Sequence, residues 1–441
     1  MNVFGFVFAL VMSLLLLTLP RNWAPLPLLV GMAYIVREQQ LEIGPLHFPV
    51  VRILIAVGLL RVIAKGEQVV GGMNSLDRAF RLWTIWNICS IAFHSTNVWV
   101  FRLGILYDTV GTYYLFRVFV RGLDDVRTVF KMLCLILLPL AATMLVEKLK
   151  GINPLSFIGF GPPDVTVTNG HFRATGAFGH PILAGTAGAV CVPMAIYYWR
   201  ENRQLALAGI VAFFGIVFAS GSSGPIMATL ASLGAVALWK IRDRLSAIRW
   251  LVILLLIVLS FIMSDPVYFL MARIDITGGS TGYFRAQLIR STIDHFSEWW
   301  LAGTDYTRHW MASGIAADEN HTDMTNYFVQ MGVCGGLPLV LLFVGVLYSA
   351  FTRVGKALKA AADKPVRDRF LIWVLGSILF SHTTTFMSIS YFDQTVVLLS
   401  LALALISALQ VRPTVSVRTK VRDGIASRPE RTPVGYQVSF S

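Results

Sequence analysis

Three side chains in this sequence are of types that can do chemistry: Arg173 in HFRATGAFGHP, Arg285 in GYFRAQLIRSTIDHFSEWW and His321 in ENHTDMTNYFVQMGVCGG. A guanidinium grips a phosphate through two parallel hydrogen bonds, so two arginines on facing segments suit a diphosphate. Histidine, with an ordinary pKa of about 6.5, is suited to general-base work near neutral pH. The three together describe attack by a hydroxyl on an activated carbon whose leaving group is a phosphate.

Each residue also has a plainer reading. Arg173 precedes Gly176, Gly179 and Pro181 at the start of a small-residue helix, where a loop arginine can simply be solvated by water or lipid phosphate. On a helical projection of 283–300, Phe284, Leu288, Ile289, Ile293, Phe296, Trp299 and Trp300 cover one half. Gln287, Arg290, Asp294, Ser297 and Glu298 cover the other, and Arg285 falls inside the apolar half with no carboxylate on its face. An unpaired charge in hydrocarbon costs on the order of 2.5 to 3.5 kcal/mol, so Arg285 either snorkels to water or meets an anion. Asn320 reads as a helix cap and Asp323 as its partner in an approximate capping box, which explains both structurally. His321 is not required by such a cap, and its plain reading is a polar residue at a membrane interface. A helix amino end favours neutral imidazole, while Asp318, Glu319 and Asp323 favour the charged form.

The elements that must position these residues are membrane helices. The chain has 441 residues, 56% hydrophobic and 14% charged. Apolar runs near 3–19, 24–36, 49–64, 82–93, 98–120, 128–147, 181–199, 205–219, 225–239, 250–264, 322–350, 371–388 and 391–410 give about thirteen candidate helices, against the roughly 20 residues that a span needs. An all-α polytopic membrane protein with about 12–14 transmembrane helices is expected. No cleavable leader is evident at Met1, so the first span is expected to remain. The basic connectors KIRDRLSAIR and FTRVGKALKAAADKPVRDRF should face the cytoplasm. Alternation then sends 148–180, 265–321, HSTN and SGSSG outward, and puts all eight histidines on or near the outer face. The formal charge of +13 is therefore read as a topology signal, and nucleic acid is not an expected partner. Residues 1–410 read as one integral membrane domain, and 411–441 as a basic, disordered cytoplasmic tail lying on anionic lipid. Cys89, Cys134, Cys191 and Cys334 sit in or beside apolar runs without metal-ligand spacing, and are expected to be core residues rather than ligands or disulfides.

The residues so assembled resemble the O-antigen ligase and O-antigen polymerase superfamily of bacterial polytopic membrane glycosyltransferases. Three stretches carry the likeness. They are R-x-x-G-x-F-x-H-P-x-x-x-G from Arg173 to Gly185, G-x-x-R at Gly282 and Arg285 followed by Trp299 to Gly303, and H-x-x-x-x-x-Y-F-x-x-x-G-x-x-G-G from His321. The family usually places an aromatic and an aliphatic residue soon after its histidine, whereas Thr322 and Asp323 follow here. The resemblance implies a GT-C-like, cofactor-free and metal-independent transferase of the bacterial inner membrane, with a large periplasmic loop carrying an amphipathic helix and a site facing the periplasm. Its donor would be an oligosaccharide on a polyprenyl diphosphate, and its acceptor a glycan or glycolipid hydroxyl. Arg173 and Arg285 would hold the diphosphate and His321 would activate the acceptor, with His180, Arg290, Asn320 and Asp323 as secondary candidates.

The chemistry of the residues fits that expectation. Without nucleotides outside the inner membrane, a lipid diphosphate must supply both activation and leaving group, and attack at the anomeric carbon inverts it. No Asp-x-Asp metal motif stands on an outer loop, which fits arginines in place of a cation. A polymerase of O-antigen or exopolysaccharide repeat units is the preferred expectation, acting with a flippase and a chain-length regulator of the same pathway. Ligation to lipid A core is the alternative within the family. A polysaccharide flippase is the alternative of another class, but it calls for charges spread along the helices rather than gathered in two outer loops.

Overall fold

A computed structural model describes residues 1–44, 46–273, 282–312 and 314–411. Its helices follow the apolar runs: α1 (Val3–Thr18), α2 (Pro25–Tyr34), α3 (Val50–Lys65), α4 (Ser75–Ile91), α5 (Thr96–Phe119) and α6 (Leu123–Lys150). After the first long connector come α7 (Pro181–Tyr198), α8 (Arg203–Ser220), α9 (Ser223–Ala237) and α10 (Leu245–Ile262). The second connector holds α11 (Gly282–Asp294) and α12 (Phe296–Trp299), and the chain continues through α13 (Tyr327–Ala360), α14 (Val366–Thr385) and α15 (Thr395–Ser407). Two short antiparallel strand pairs lie between helices: β1 (Gln40–Ile43) with β2 (Leu46–Pro49), and β3 (Thr166–Thr168) with β4 (His171–Arg173). The sequence pattern did not announce either, because each strand is only three or four residues long. Residues Met1–Val411 form one compact unit, and the expected basic tail lies outside the described residues.

This is a multi-pass membrane protein. Among the described residues, five helical segments are long and apolar enough to cross a bilayer: Leu123–Lys150, Pro181–Tyr198, Arg203–Ser220, Ser223–Ile262 and Tyr327–Ala360. The others fall short for identifiable reasons. The 16-residue α1 and 13-residue α15 are apolar but short at 1.5 Å per residue, and α4 and α5 carry charged side chains. Every residue of α15 is buried, and nearly all of α7, so these two form the centre of the bundle. None of α10 is buried, and α1 exposes Phe4, Leu10 and Leu14, as expected for faces turned to lipid.

Two groups of connectors gather at opposite ends. At the basic end, Arg367 pairs with Glu201 at 3.1 Å, Arg127 pairs with Asp368, and Trp239 packs on Phe370 at 5.5 Å. At the other end the connectors 151–180 and 282–326 come together around the arginines and the histidine.

The start of α13 differs from expectation. Asn326, not Asn320, caps it, accepting from the amides of Phe328 (3.0 Å) and Val329 (3.2 Å). Asn320 and Asp323 do not form a capping box because 315–323 folds into a turn of its own. There the Ala317 amide donates to the His321 carbonyl (2.9 Å) and the Asp323 amide to that of Ile315 (2.9 Å). His321 therefore sits in a loop several residues before the helix.

The glycines after it do break α13, as their spacing suggested. Gly335 and Gly336 leave helical geometry, and Gly336 has φ +73°. A Cβ on Gly336 would stand 2.3 Å from the Leu301 carbonyl, and one on Gly303 would stand 2.1 Å from that of Val333. The outer connector is thus seated in the break, with the Leu337 amide donating to Trp300 (2.7 Å) and the Thr304 amide to Val333 (3.0 Å). Carbonyls freed by the break are satisfied by Trp86, which donates to Gly335 (2.7 Å), and by Arg102, which donates to Cys334. Such local repair is what lets a helix break at membrane depth.

All four cysteines are free. Cys134 and Cys191 are buried as expected, but Cys89 is exposed on α4.

Candidate active site

The first connector is tied down by a residue that the sequence reading passed over. Glu147, buried near the end of α6, accepts from the Thr175 amide (2.9 Å), the Thr175 hydroxyl (3.0 Å) and the Gly176 amide (2.9 Å). This fixes the loop one turn beyond Arg173. The Ala174 amide then bonds the Ala219 carbonyl (3.0 Å), which docks β4 against the α8–α9 turn. Arg173 reaches over that turn and donates to the Ser222 hydroxyl (2.6 Å), the Ser220 carbonyl (3.3 Å) and the Thr168 hydroxyl (3.3 Å). Its bonds are to neutral oxygens, so its charge remains available to an anion, and burial pushes its pKa down. Ser222, at the amino end of α9, makes no side-chain cap, which leaves a helix amino end facing the same space.

Arg285 lies on the buried face of α11, with Gly282, Ala286, Leu288, Ser291 and Thr292. It is 9% exposed and its Nε has no partner. Burial lowers its pKa, and Asp323 opposes that through space rather than through a hydrogen bond. Asp323 is raised by the same burial and lowered by Arg285. This carboxylate approaches not from Arg285's own helix but from the end of the same connector, just before α13.

The expected continuous helix over 283–300 is instead two helices with a corner at His295. At the corner Trp299 Nε1 donates to the Thr292 carbonyl (2.8 Å), which a continuing helix would offer to the amide of residue 296, while His295 Nδ1 joins its own amide (3.0 Å) on the Ser291 carbonyl (2.8 Å). Ile293, Phe296 and Trp300 are consequently exposed, although the single-helix projection put them with the buried set.

His321 has a carboxylate partner. Asp318 Oδ1 and Oδ2 lie 2.8 and 2.9 Å from His321 Nδ1, and Asp318 Oδ1 also accepts the His321 and Asn320 amides, each at 2.8 Å. Burial would raise the Asp318 carboxyl, but these bonds outweigh it and hold it below the usual range. A carboxylate that remains ionised keeps the proton on Nδ1 and leaves the Nε2 lone pair free, which is how an imidazole base is oriented.

Arg173, Arg285, His321, His180 and Asp323 all line one cavity of about 740 Å³. Asp318, Arg102 and Gln330 line it too, with Phe101, Phe392 and Ile389 on its apolar side. A second cavity of about 330 Å³ shares Arg173, Arg285 and Ile182 and adds Lys148, Ser222 and Ser223. The two arginines therefore stand at the junction of both spaces. Two of the secondary candidates lie elsewhere. Arg290 is exposed with its guanidinium 5.7 Å from the Phe269 ring, and Asn320 is exposed with its carbonyl taken by the Thr307 and Arg308 amides.

His180 is a cap as well as a wall of the cavity. Its Nδ1 accepts from the Ile182 amide (3.1 Å), and burial, with Arg173 nearby, lowers its pKa to about 4. It is neutral in the working range and suited to packing or hydrogen bonding rather than to anion binding.

Arg102 was not anticipated. It sits six residues into α5, about 9 Å along the axis from Thr96. It is 8% exposed, and while Nη2 serves the α13 break, Nη1 is buried without a partner. The only sequence signal was an arginine inside the apolar run 98–120. Asp318 could have been found from its i, i+3 spacing to His321. Glu147 had no such signal, because its partners are backbone amides of a distant loop.

The arrangement provides three guanidinium groups and an aspartate-oriented imidazole around a space open to solvent, with an apolar flank. It can hold an anion bearing several negative oxygens while a base meets a hydroxyl beside it. Comparison with known proteins points the same way. Residues 208–344 match the family model for O-antigen ligase, a stretch running from α8 into α13 that includes Arg285, Asp318 and His321. No curated protein matches the chain. Together with the geometry of the cavity, the match over these residues supports the resemblance to the O-antigen ligase and polymerase superfamily and indicates a membrane enzyme of the glycosyltransferase type.

Proposed function

We propose that the protein transfers a glycan from a polyprenyl diphosphate to an acceptor hydroxyl at the periplasmic face of the bacterial inner membrane. The preferred acceptor is another glycan, so that repeat units of O-antigen or exopolysaccharide are polymerised. The observation that carries this reading is the convergence of Arg173, Arg285 and His321, drawn from two separate connectors, on one cavity.

In this reading Arg173 and Arg285 bind the diphosphate, Arg102 adds a third positive charge from the membrane side, and the polyprenyl chain leaves past the apolar flank. His321 Nε2 takes the proton of the acceptor hydroxyl as its oxygen attacks the anomeric carbon. The bond from that carbon to the diphosphate oxygen breaks, and its electron pair leaves on the diphosphate, where the guanidiniums stabilise the charge. The anomeric centre inverts, and no metal is required. Asp318 is a positioning residue: it keeps His321 in the tautomer that can accept a proton. A base so placed typically contributes about 10² to 10⁴ in rate.

The basic end of the bundle would face the cytoplasm, with about 12–14 crossings in a GT-C-like arrangement, and a flippase and chain-length regulator would act in the same pathway. The test is to express His321→Ala and Arg285→Ala in a deletion strain and analyse the lipid-linked glycans. Single repeat units accumulating on the outer leaflet support polymerisation, and full-length glycan held on polyprenyl diphosphate indicates ligation. Glycan trapped on the inner leaflet indicates a flippase, and normal glycans from both variants reject the site.

A further inference from the structure

The corner between α11 and α12 brings together three side chains that the transfer chemistry does not use. His295, Glu298 and His309 each offer a ligand atom, and these atoms lie within 4.8 Å of one another. None of the three lines the candidate active-site cavity. We propose that His295, Glu298 and His309 form a binding site for a divalent transition-metal ion of the Zn²⁺ class, which clasps the Arg285-bearing helix to the 308–311 turn.

Two nitrogens and one carboxylate oxygen form a donor set that suits Zn²⁺, Ni²⁺ or Cu²⁺, whereas Mg²⁺ and Ca²⁺ prefer oxygen alone. Ligand atoms about 2.0 to 2.2 Å from a tetrahedral ion stand roughly 3.3 to 3.6 Å apart. His309 Nε2 and Glu298 Oε2 are 2.8 Å apart and the whole set lies within 4.8 Å, so side-chain rotation on an open surface has only to part that pair by about 0.5 Å and draw in the wider separations.

The outer supports are also present. His295 Nδ1 is 2.8 Å from the Ser291 carbonyl, which makes that nitrogen the donor and leaves Nε2 with the lone pair that a metal needs. Trp310 Nε1 donates to Glu298 Oε2 (2.8 Å) and its ring stacks on His295 at 5.6 Å and 19°. Backbone and indole partners of this kind orient metal ligands and fix their tautomers. Without a metal, the His309–Glu298 pair is an exposed contact that contributes little. With one, both side chains would turn their lone pairs to the ion in place of that hydrogen bond.

The clasp would join two parts of the second connector. His295 and Glu298 follow directly on α11, which carries Arg285, and His309 begins the stretch that leads to Asp318 and His321. Metal binding would restrain this connector as a unit without touching substrate.

The experiment uses the full chain, purified without a polyhistidine tag, stripped with chelator and titrated with Zn²⁺ in detergent micelles by equilibrium dialysis and by thermal unfolding. Wild type should take up one saturable equivalent per chain in the presence of excess Mg²⁺ and Ca²⁺, with a rise in unfolding temperature. His295→Ala combined with His309→Ala should abolish both effects. Glu298→Gln, which keeps an acceptor for Trp310 and so safeguards the corner, should weaken binding at least about tenfold while eluting as a single monodisperse species. No saturable uptake by wild type overturns the proposal, and so does undiminished uptake by the folded Glu298→Gln and double-histidine variants.

Discussion

Replacing Arg285 with Met separates a functional arginine from a structural one, because the two roles predict opposite changes in stability. Arg285 is 9% exposed, its Nε is unpartnered and Asp323 reaches it only through space. An unsatisfied buried donor costs about 1 to 3 kcal/mol, and Met fills the space of the arginine stem without a charge. Arg285→Met should therefore raise the stability of the substrate-free protein, moving its unfolding midpoint up by roughly 1 to 4 °C. Transfer should move the other way. Two charge-assisted hydrogen bonds to a diphosphate are worth about 1.5 to 3 kcal/mol each, so their loss should lower transfer by about 10² to 10⁴, at 1.36 kcal/mol per tenfold. Arg285→Lys keeps the charge but not the fork, and should fall between the two. Thermal unfolding of purified protein and turnover of a lipid-linked donor in micelles measure the two effects. A destabilised Arg285→Met that still transfers glycan would refute the reasoning, because it would make Arg285 a snorkelling side chain with a packing role.

Asp318→Asn removes the charge that orients His321, so transfer should fall by about 10- to 10²-fold while donor affinity is unchanged, whereas His321→Gln should cost about 10² to 10⁴; equal donor-binding defects in both would contradict the assigned roles. Arg102→Met should weaken donor binding, and Arg102→Lys should restore only part of it, as read by competition with a soluble diphosphate. Gly336→Ala should destabilise the protein strongly, because its Cβ would meet the Leu301 carbonyl at 2.3 Å in a left-handed conformation; an unchanged unfolding temperature would show that the break can relax. His180 has a folded pKa lowered to about 4, below its ordinary 6.5, so it contributes stability that is present above about pH 6.5 and lost as pH falls toward 4. His180→Asn keeps a cap acceptor that does not titrate, and should flatten the acid limb of melting temperature between pH 7.5 and 5.

How much was legible in the sequence can be judged residue by residue. Thirteen helices lie on the apolar runs because lipid and a buried core both reward continuous hydrophobicity, and that pattern is local. Arg285 stood out because a charge on an apolar face breaks the helical pattern, and the break of α13 followed from paired glycines. The start of α13 was misplaced, because Asn320 and Asn326 are both plausible caps and only the turn of 315–323 distinguishes them. The corner at His295 was missed for a similar reason. Whether Trp299 reaches back to Thr292 depends on packing that a helical projection assumes away.

Sequence by itself determined the elements: apolar helices, basic connectors and three side chains whose chemistry exceeded their local needs. Tertiary structure alone decided that Arg173, Arg285 and His321 share a cavity, and that Arg102 joins them there from within α5. The physical reason is range. Helix formation is governed by neighbours a few residues away, whereas an anion site depends on loops more than a hundred residues apart. Glu147 holds the first of those loops by its carboxylate on distant backbone amides, and the break at Gly335 and Gly336 seats the second through backbone bonds.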